Sequence, residues 1–358
     1  MSIENVLSLF DGMSCGRIAL DRAGIKVNNY YASELDKYAI TVTQANWPET
    51  VQLGDVTKWR EWSIDWASID LLIGGSPCQG FSFAGKQLAF DDPRSALFFE
   101  YLNILNHIKT VNPNVKFLLE NVKMKKEYLE VISSMLKVEP VFINSALVSA
   151  QNRQRYYWAN WDFAQPEDKG VVMADIIESP PTSVTIMSDK FTKRQEGRKC
   201  LVSKPKAKAV SFSAMEYVKN GRQGDYIKCT DTGDQLVFSH PASIVGRRIN
   251  EKGVRDDYNK DVPITQCLQV KHNPEKTGCI TTVQKDNVIA SVTPGRYVDV
   301  YGAMTEGLQY RKLTPVEVER LQTVPDNYTN HVSNTQRYKM LGNGWTVEVI
   351  AHIFKGIA

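Results

Sequence analysis

A chain of 358 residues is long enough for about two domains. With 42% apolar, 23% charged and 10% aromatic residues it has the balance of an ordinary globular protein, not of a disordered or fibrous one. Net charge is only +3, from 43 basic and 40 acidic residues, which excludes a strongly basic or acidic chain overall.

No apolar run reaches the roughly 18 residues a membrane span needs, so no membrane association is expected. The N-terminus, Met1-Ser2-Ile3-Glu4-Asn5, has an acid and no basic region before its apolar run, unlike a signal peptide. The six cysteines stand singly, without CxxC pairs, as free thiols do in a reducing compartment. The expectation is a cytoplasmic protein.

The first 160 residues alternate strand-like and helix-like segments. Asn5–Phe10 is a short β-rich run ending in the turn Asp11-Gly12-Met13-Ser14-Cys15-Gly16, and a helix is expected from Arg17 to about Ala23. Asn29–Ala32 is a second strand, ending at Ser33-Glu34. Asp70–Ile73 is a third, apolar throughout as a strand buried on both faces should be. Lys116–Leu119 is a fourth, ending at Glu120-Asn121, with helical patterns over Leu97–Ile108 and Glu127–Leu136. This alternation predicts an α/β protein with a doubly wound, mostly parallel sheet. Ligands of such sheets sit at the carboxyl ends of the strands, where these polar residues fall.

From about Asp162 to Gln309 prolines multiply, helical periodicity fades and short runs such as Ile280-Thr281-Thr282-Val283 point to a smaller, irregular β-rich domain. Between Lys190 and Lys228 eleven Lys and Arg face only Glu196, Glu216 and Asp225, a balance that suits either a phosphate backbone or a solvated loop. Helical character returns at Thr314-Pro315-Val316-Glu317, a cap followed by Pro at the first helical position, and again over Thr346–Ile357. The expected division is residues 1–160 plus 311–358 as one domain and 161–310 as the second.

The turn after the first strand lacks the GxGxxG spacing of a dinucleotide site, although its glycines and the following helix N-terminus suit a close ligand. Glu34 stands where an acid can accept both ribose hydroxyls. Asp55 could accept from the exocyclic amine of an adenine. Taken singly, each also fits a turn or cap acid. Gly74-Gly75-Ser76-Pro77-Cys78-Gln79-Gly80-Phe81-Ser82 is more telling. A structural cysteine normally sits in an apolar run, whereas Cys78 follows a buried strand in a Gly/Ser/Pro loop, the place for a nucleophilic thiol.

Pro77-Cys78-Gln79 after a doubled Gly resembles the nucleophile loop of DNA (cytosine-5) methyltransferases, enzymes that use S-adenosylmethionine and release S-adenosylhomocysteine. The resemblance extends in family order over residues 5–160 and 311–358. Phe10, Asp11, Gly12, Ser14 and Gly16 match the cofactor loop, Glu34 the ribose acid and Asp55 the adenine contact. Leu35, Val56, Pro77, Asn343 and Trp345 complete the implied cofactor set. Glu120-Asn121-Val122 matches the family's Glu-Asn-Val, and Gln151-Asn152-Arg153-Gln154-Arg155 its Gln-x-Arg-x-Arg. Arg311, Leu313-Thr314-Pro315, Glu317 and Arg320-Leu321-Gln322 resemble the helix bracing the target-recognition region, for which residues 161–310 stand. Ser14 replaces a usual Gly, and Trp345 a usual small residue. Leu-Gly-x-x-Trp, Tyr156-Tyr157-Trp158 and Ser33-Glu34 lean towards the animal de novo branch.

The resemblance implies that a cytosine is flipped out of double-stranded DNA and that Cys78 adds to its C6. Protonated Glu120 then stabilises the adduct at N3, and Arg153 and Arg155 act as cationic donors towards O2. DNA contacts are expected from Gln79, which would fill the space left by the base, from Ser82, Lys86 and Arg94 in the loop closing on DNA, and from Arg247 and Arg248. A cognate restriction endonuclease is an implied partner, and the chain is expected to act as a monomer. Cys229, His240, Cys267, His272 and Cys279 lack paired short spacings, so no metal site is expected. The rival readings are a tRNA cytosine-5 methyltransferase, whose Cys-Phe-Thr signature is missing, and a non-catalytic DNA-binding module.

Overall fold

The computed structural model describes residues 3–76, 96–178, 226–228, 235–248, 256, 258–270, 275–282, 288–292 and 310–357. They cluster into two compact units. The first comprises Met1–Ser149, Arg153–Gly170 and Gln322–Ala358, and the second Ala150–Asn152 and Val171–Leu321.

The first unit is built on β1 (Asn5–Leu9), β2 (Asn29–Ser33), β3 (Val51–Gln52), β4 (Leu71–Gly74), β5 (Lys116–Val122), β6 (Val141–Asn144) and β7 (Gln154–Ala159). These form one sheet of order β3-β2-β1-β4-β5-β7-β6. The first five strands run parallel, and β7 is antiparallel to both β5 and β6. The chain winds from β1 outward through β2 and β3, then crosses to β4 on β1's other side. Such a reversal opens a crevice at the carboxyl edge.

Helices α1 (Cys15–Arg22), α2 (Lys37–Asn46), α3 (Ala96–Val111) and α4 (Lys126–Leu136) separate the parallel strands. On α3, Phe98, Tyr101, Ile104, Leu105 and Ile108 recur at helical spacing and are fully buried with Leu7, Leu9, Leu72 and Leu119. The sequence pattern ends the fourth strand at Glu120-Asn121. The observed β5 runs on through Val122, because β7 pairs with it and sets Val122 opposite Arg155.

The second unit holds an antiparallel sheet in which β9 (Gln235–Arg248) is flanked by β10 (Ile264–Val270) and β11 (Val288–Val292), with β8 (Tyr226–Lys228) on β9 and β12 (Tyr310–Lys312) on β11. Helix α5 (Met173–Ile176) and α6 (Pro315–Leu321) belong to it. Pro315 opens α6 as its sequence predicts, and Thr314 and Glu317 cap each other reciprocally: Thr314 N–H donates to Glu317 Oε2 at 2.8 Å and Glu317 N–H to Thr314 Oγ1 at 3.1 Å. The first unit closes with α7 (Asn334–Asn343) and α8 (Val347–Phe354), whose apolar residues are buried. Among the described residues no helix is long and apolar enough to cross a membrane.

Candidate active site

The carboxyl edge of the first unit's sheet encloses a cavity of about 470 Å³, within the range of small-molecule sites. Of the cofactor set, Phe10, Asp11, Gly12, Glu34, Leu35, Asp55, Val56, Asn343 and Trp345 line it, together with Glu120, Arg153 and Arg155. Ser14 and Gly16 do not. Pro77, Cys78, Gln79, Ser82, Lys86 and Arg94 lie outside the described residues. So do Cys229 and His272, and the side chains of His240 and Cys267 are not described.

The turn between β1 and α1 is left-handed at alternate residues, with φ of 57° at Phe10, 60° at Gly12 and 62° at Ser14. Gly12 meets that demand freely, whereas Ser14 does so at a steric cost. Its hydroxyl compensates by donating to Asp11 Oδ2 and sharing a 3.0 Å hydrogen bond with Thr43 Oγ1. Ser8 Oγ and Tyr30 OH both donate to Asp11 Oδ1, at 2.6 and 2.7 Å. Burial lifts the Asp11 carboxyl to about 6, against the opposing pull of those hydroxyls. Asp11 is therefore a strut of the loop as well as part of the cavity wall. Gly16 has a packing role, since a Cβ there would collide with Ile73 Cδ1.

Glu34 ends β2 with its carboxylate held by backbone amides. Oε2 accepts from Gly12 at 2.8 Å, and Oε1 from Leu35 and Asp36, each at 2.7 Å. Oε2 keeps a lone pair for a ligand hydroxyl. Asp55 caps a short 3₁₀ turn through Oδ1, which accepts from Thr57 N at 2.9 Å and Thr57 Oγ1 at 2.8 Å. Those bonds pull its carboxyl below the usual range and leave Oδ2 without a partner among the described residues. Both acids hold backbone amides and line the cavity at once.

Glu120, near the end of β5, faces the start of β7. Its Oε1 pairs with Arg155 Nε at 2.8 Å, and its Oε2 accepts from the indole N–H of Trp345 at 3.2 Å. Beside it, Asn121 donates to Ser76 Oγ at 3.2 Å, tying β5 to the loop that leaves β4. Arg153 points elsewhere. It is 4% exposed and donates to the carbonyls of Gly342 at 3.4 Å and Gly344 at 2.9 Å, bracing the turn after α7. In the second unit, Arg247 and Arg248 end β9 opposite Thr265 and Ile264, and Arg248 donates to the carbonyls of Lys260, at 3.0 Å, and Val262.

Sequence reasoning missed several wall residues: Asp36, Ala39, Leu97 and Met340. Asp36 had a readable signal, an Asp ahead of a helical run. It caps α2 by accepting from Tyr38 N at 3.0 Å, and it pairs with Lys339 at 2.7 Å. The Trp345–Glu120 contact had none, since 225 positions separate the two.

A family model for C-5 cytosine-specific DNA methylases matches residues 4–358. The type II methyltransferase M1.ScrFI of Lactococcus lactis subsp. cremoris is 28% identical over 367 residues, covering 96% of this chain and 75% of its own. The orphan methyltransferase M.SPRI of Bacillus phage SPR is 27% identical and covers 98% of this chain and 96% of its own. The type II methyltransferase M.HhaI of Haemophilus parahaemolyticus is 25% identical, covering 97% and 92%. Two solved structures share the fold: the Entamoeba histolytica methyltransferase EhMeth, with TM-score 0.62 at 15% identity over 100% of this chain and 98% of its own, and a Spodoptera frugiperda DNMT2 variant, with TM-score 0.57 at 18% identity over 98% of each.

Proposed function

The chain belongs to the C-5 cytosine-specific DNA methylase family, and from that premise we propose that it methylates C5 of a cytosine within a short motif of double-stranded DNA, with Cys78 as nucleophile and Glu120 as acid. The observation that carries the reading is the convergence at one cavity of Glu34, Asp55, Glu120 and Arg155 with Gly75 and Ser76, directly before the Pro77-Cys78 dipeptide.

The cavity fits S-adenosylmethionine by size and by its polar and apolar walls. Glu34 Oε2 and Asp55 Oδ2 offer acceptors for ribose hydroxyls and an adenine amine. Phe10, Leu35 and Val56 supply apolar surface for the purine, and the left-handed turn at Gly12 brings backbone close to the ligand. When bound, S-adenosylmethionine supplies an electrophilic methyl on a sulfonium, which leaves to C5 as S-adenosylhomocysteine forms.

The target carbon is unactivated and lies inside a base stack. Flipping the base out costs a few kcal/mol. Cys78, as thiolate, then forms a bond to C6, and the displaced electron pair is carried through the ring towards N3 and O2. Glu120 passes its proton to N3 as that charge builds, and Arg155 lies beside it as a fixed cation. Addition makes C5 enamine-like and ready for methyl transfer. Loss of the C5 proton to a base, departure of the Cys78 thiolate from C6 and return of the N3 proton to Glu120 restore the aromatic ring.

Residues 161–310 serve as the target-recognition domain in this reading, with the basic stretch of Lys190–Lys228 suited to phosphates. In this reading the chain protects DNA, beside a cognate restriction endonuclease or in a phage without one, and acts as a monomer. The test is transfer of labelled methyl from S-adenosylmethionine to unmethylated duplex DNA, to tRNA and to no substrate, with Cys78→Ala alongside. Label at cytosine C5 in one DNA motif, lost in Cys78→Ala, is the expected result. Label only in tRNA, or in neither substrate, would overturn it.

A further inference from the structure

We propose that Trp345 is a positioning residue for the methylation chemistry: its indole N–H fixes the second oxygen of Glu120, so that Arg155 and Trp345 together aim the carboxyl at the target base. This inference rests on the reading of Glu120 as the acid. Trp345 stands where the family pattern has a small residue, and serving as a cavity wall needs only its ring, not its N–H.

Three observations give the contact a purpose. The two oxygens of Glu120 meet two groups on different elements: Oε1 forms an ion pair with Arg155 of β7 at 2.8 Å, and Oε2 accepts a hydrogen bond from Trp345 at 3.2 Å. The residues on both sides of Trp345 are pinned. The Gly344 carbonyl accepts from Arg153 at 2.9 Å and from Gln322 Nε2 at 3.2 Å, while Thr346 Oγ1 lies 3.1 Å from Gln322 Oε1 and accepts from Ser145 at 2.9 Å. The indole is thus presented by a braced turn. Finally, Gly75 leaves room for the meeting. A Cβ at that position would sit 2.8 Å from Trp345 Nε1 and 2.9 Å from Glu120 Oε2. Bare backbone beneath the pair lets donor and acceptor meet beside Ser76.

Cysteine addition at C6 without the cofactor makes C5 nucleophilic. C5 then takes up a solvent proton, and on reversal it releases a tritium placed there into water. This exchange reports the addition step while the cofactor cavity stays out of the measurement. The experiment compares wild type, Trp345→Phe, Glu120→Gln and the double variant on unmethylated duplex DNA tritiated at cytosine C5, with S-adenosylhomocysteine affinity measured by calorimetry. Trp345→Phe keeps the ring and removes the donor. The expected result is about a tenfold loss of exchange and of kcat, the upper end of what one hydrogen bond contributes net, with affinity changed less than threefold. In the double variant the Trp345→Phe change should cost nothing beyond Glu120→Gln, because both act on one group. Wild-type exchange in Trp345→Phe, or losses that multiply in the double variant, would overturn the positioning role while Glu120→Gln remains impaired. Wild-type exchange in Glu120→Gln would overturn the acid assignment and this proposal with it.

Discussion

Gly75→Ala adds one methyl group where the structure has no room for it. The new carbon would stand 2.8 Å from Trp345 Nε1, 2.9 Å from Glu120 Oε2 and 3.4 Å from Trp345 Cε2. The first two contacts are roughly half an ångström or more inside van der Waals separation. Neither neighbour is a free side-chain tip, since Trp345 sits between braced residues and Glu120 is paired with Arg155. Overpacking of this kind costs about 1–3 kcal/mol, which lowers Tm by about 5 °C in a domain of this size. Relief comes most readily by parting indole from carboxyl, so kcat should fall at least as far as in Trp345→Phe. Gly24→Ala is the control. Gly24 has φ +75° and nothing within 4 Å of its Cβ position, so alanine there strains the backbone by about 1–2 kcal/mol far from Glu120. Differential scanning calorimetry and steady-state methyl transfer on both variants read the contrast: similar losses of Tm, with turnover lost only in Gly75→Ala. Wild-type kcat in Gly75→Ala would refute the reasoning.

Asp11 makes a pH prediction. Its folded-state value, about 6, lies above the ordinary carboxyl value of 3.8, so the folded protein holds this proton more tightly than the unfolded chain does. The stability that follows is fully present below about 4 and is lost as pH rises through about 6, an effect of roughly 3 kcal/mol for two units. Asp11→Asn lacks that loss, so its urea-unfolding free energy relative to wild type should climb between pH 4.5 and 7. A constant difference would refute the assignment. Arg153→Ala removes the guanidinium from the Gly342 and Gly344 carbonyls and should raise KM for S-adenosylmethionine about tenfold with a smaller change in kcat. A fall in kcat at constant KM would put Arg153 at the reacting base. Burial pushes the Cys15 thiol up to about 12, and the residue is 3% exposed, so maleimide at pH 8 should leave the Cys15 peptide unlabelled until urea unfolds the protein, as peptide mass mapping would show.

Much of the candidate site was legible because its signals are short runs at strand ends. Glu34 follows β2, Gly75-Ser76 follows β4 and Glu120 falls within β5, and a parallel sheet gathers such ends along one edge. The strand–helix alternation also indicated four of the five parallel strands, the two-residue β3 excepted. It could not give β6 and β7, whose antiparallel pairing comes from a contact with β5 across the sequence. That pairing explains Arg155, since opposite Val122 it lies beside Glu120. The direction of Arg153 was hidden for a similar reason. Two residues along the same chain, with the same charge, bind a carboxylate and a pair of carbonyls because the turn near Gly344 comes from the far end of the sequence.

Ser14 and Trp345 have a common physical logic. Each satisfies its polar atom on a nearby acid. Ser14 takes a left-handed conformation that costs a non-glycine residue about 1–2 kcal/mol, and its hydroxyl meets Asp11 and Thr43. The acid that holds it is half-buried, with Ser8 and Tyr30 as further donors, so the turn is supported from behind and its front stays open to the cavity. Trp345 fills space over Gly75 and delivers its N–H to Glu120. The fixed groups are the loop proposed to contact the cofactor and the carboxyl proposed to serve the base, the two parts of the site whose geometry the proposed chemistry constrains most.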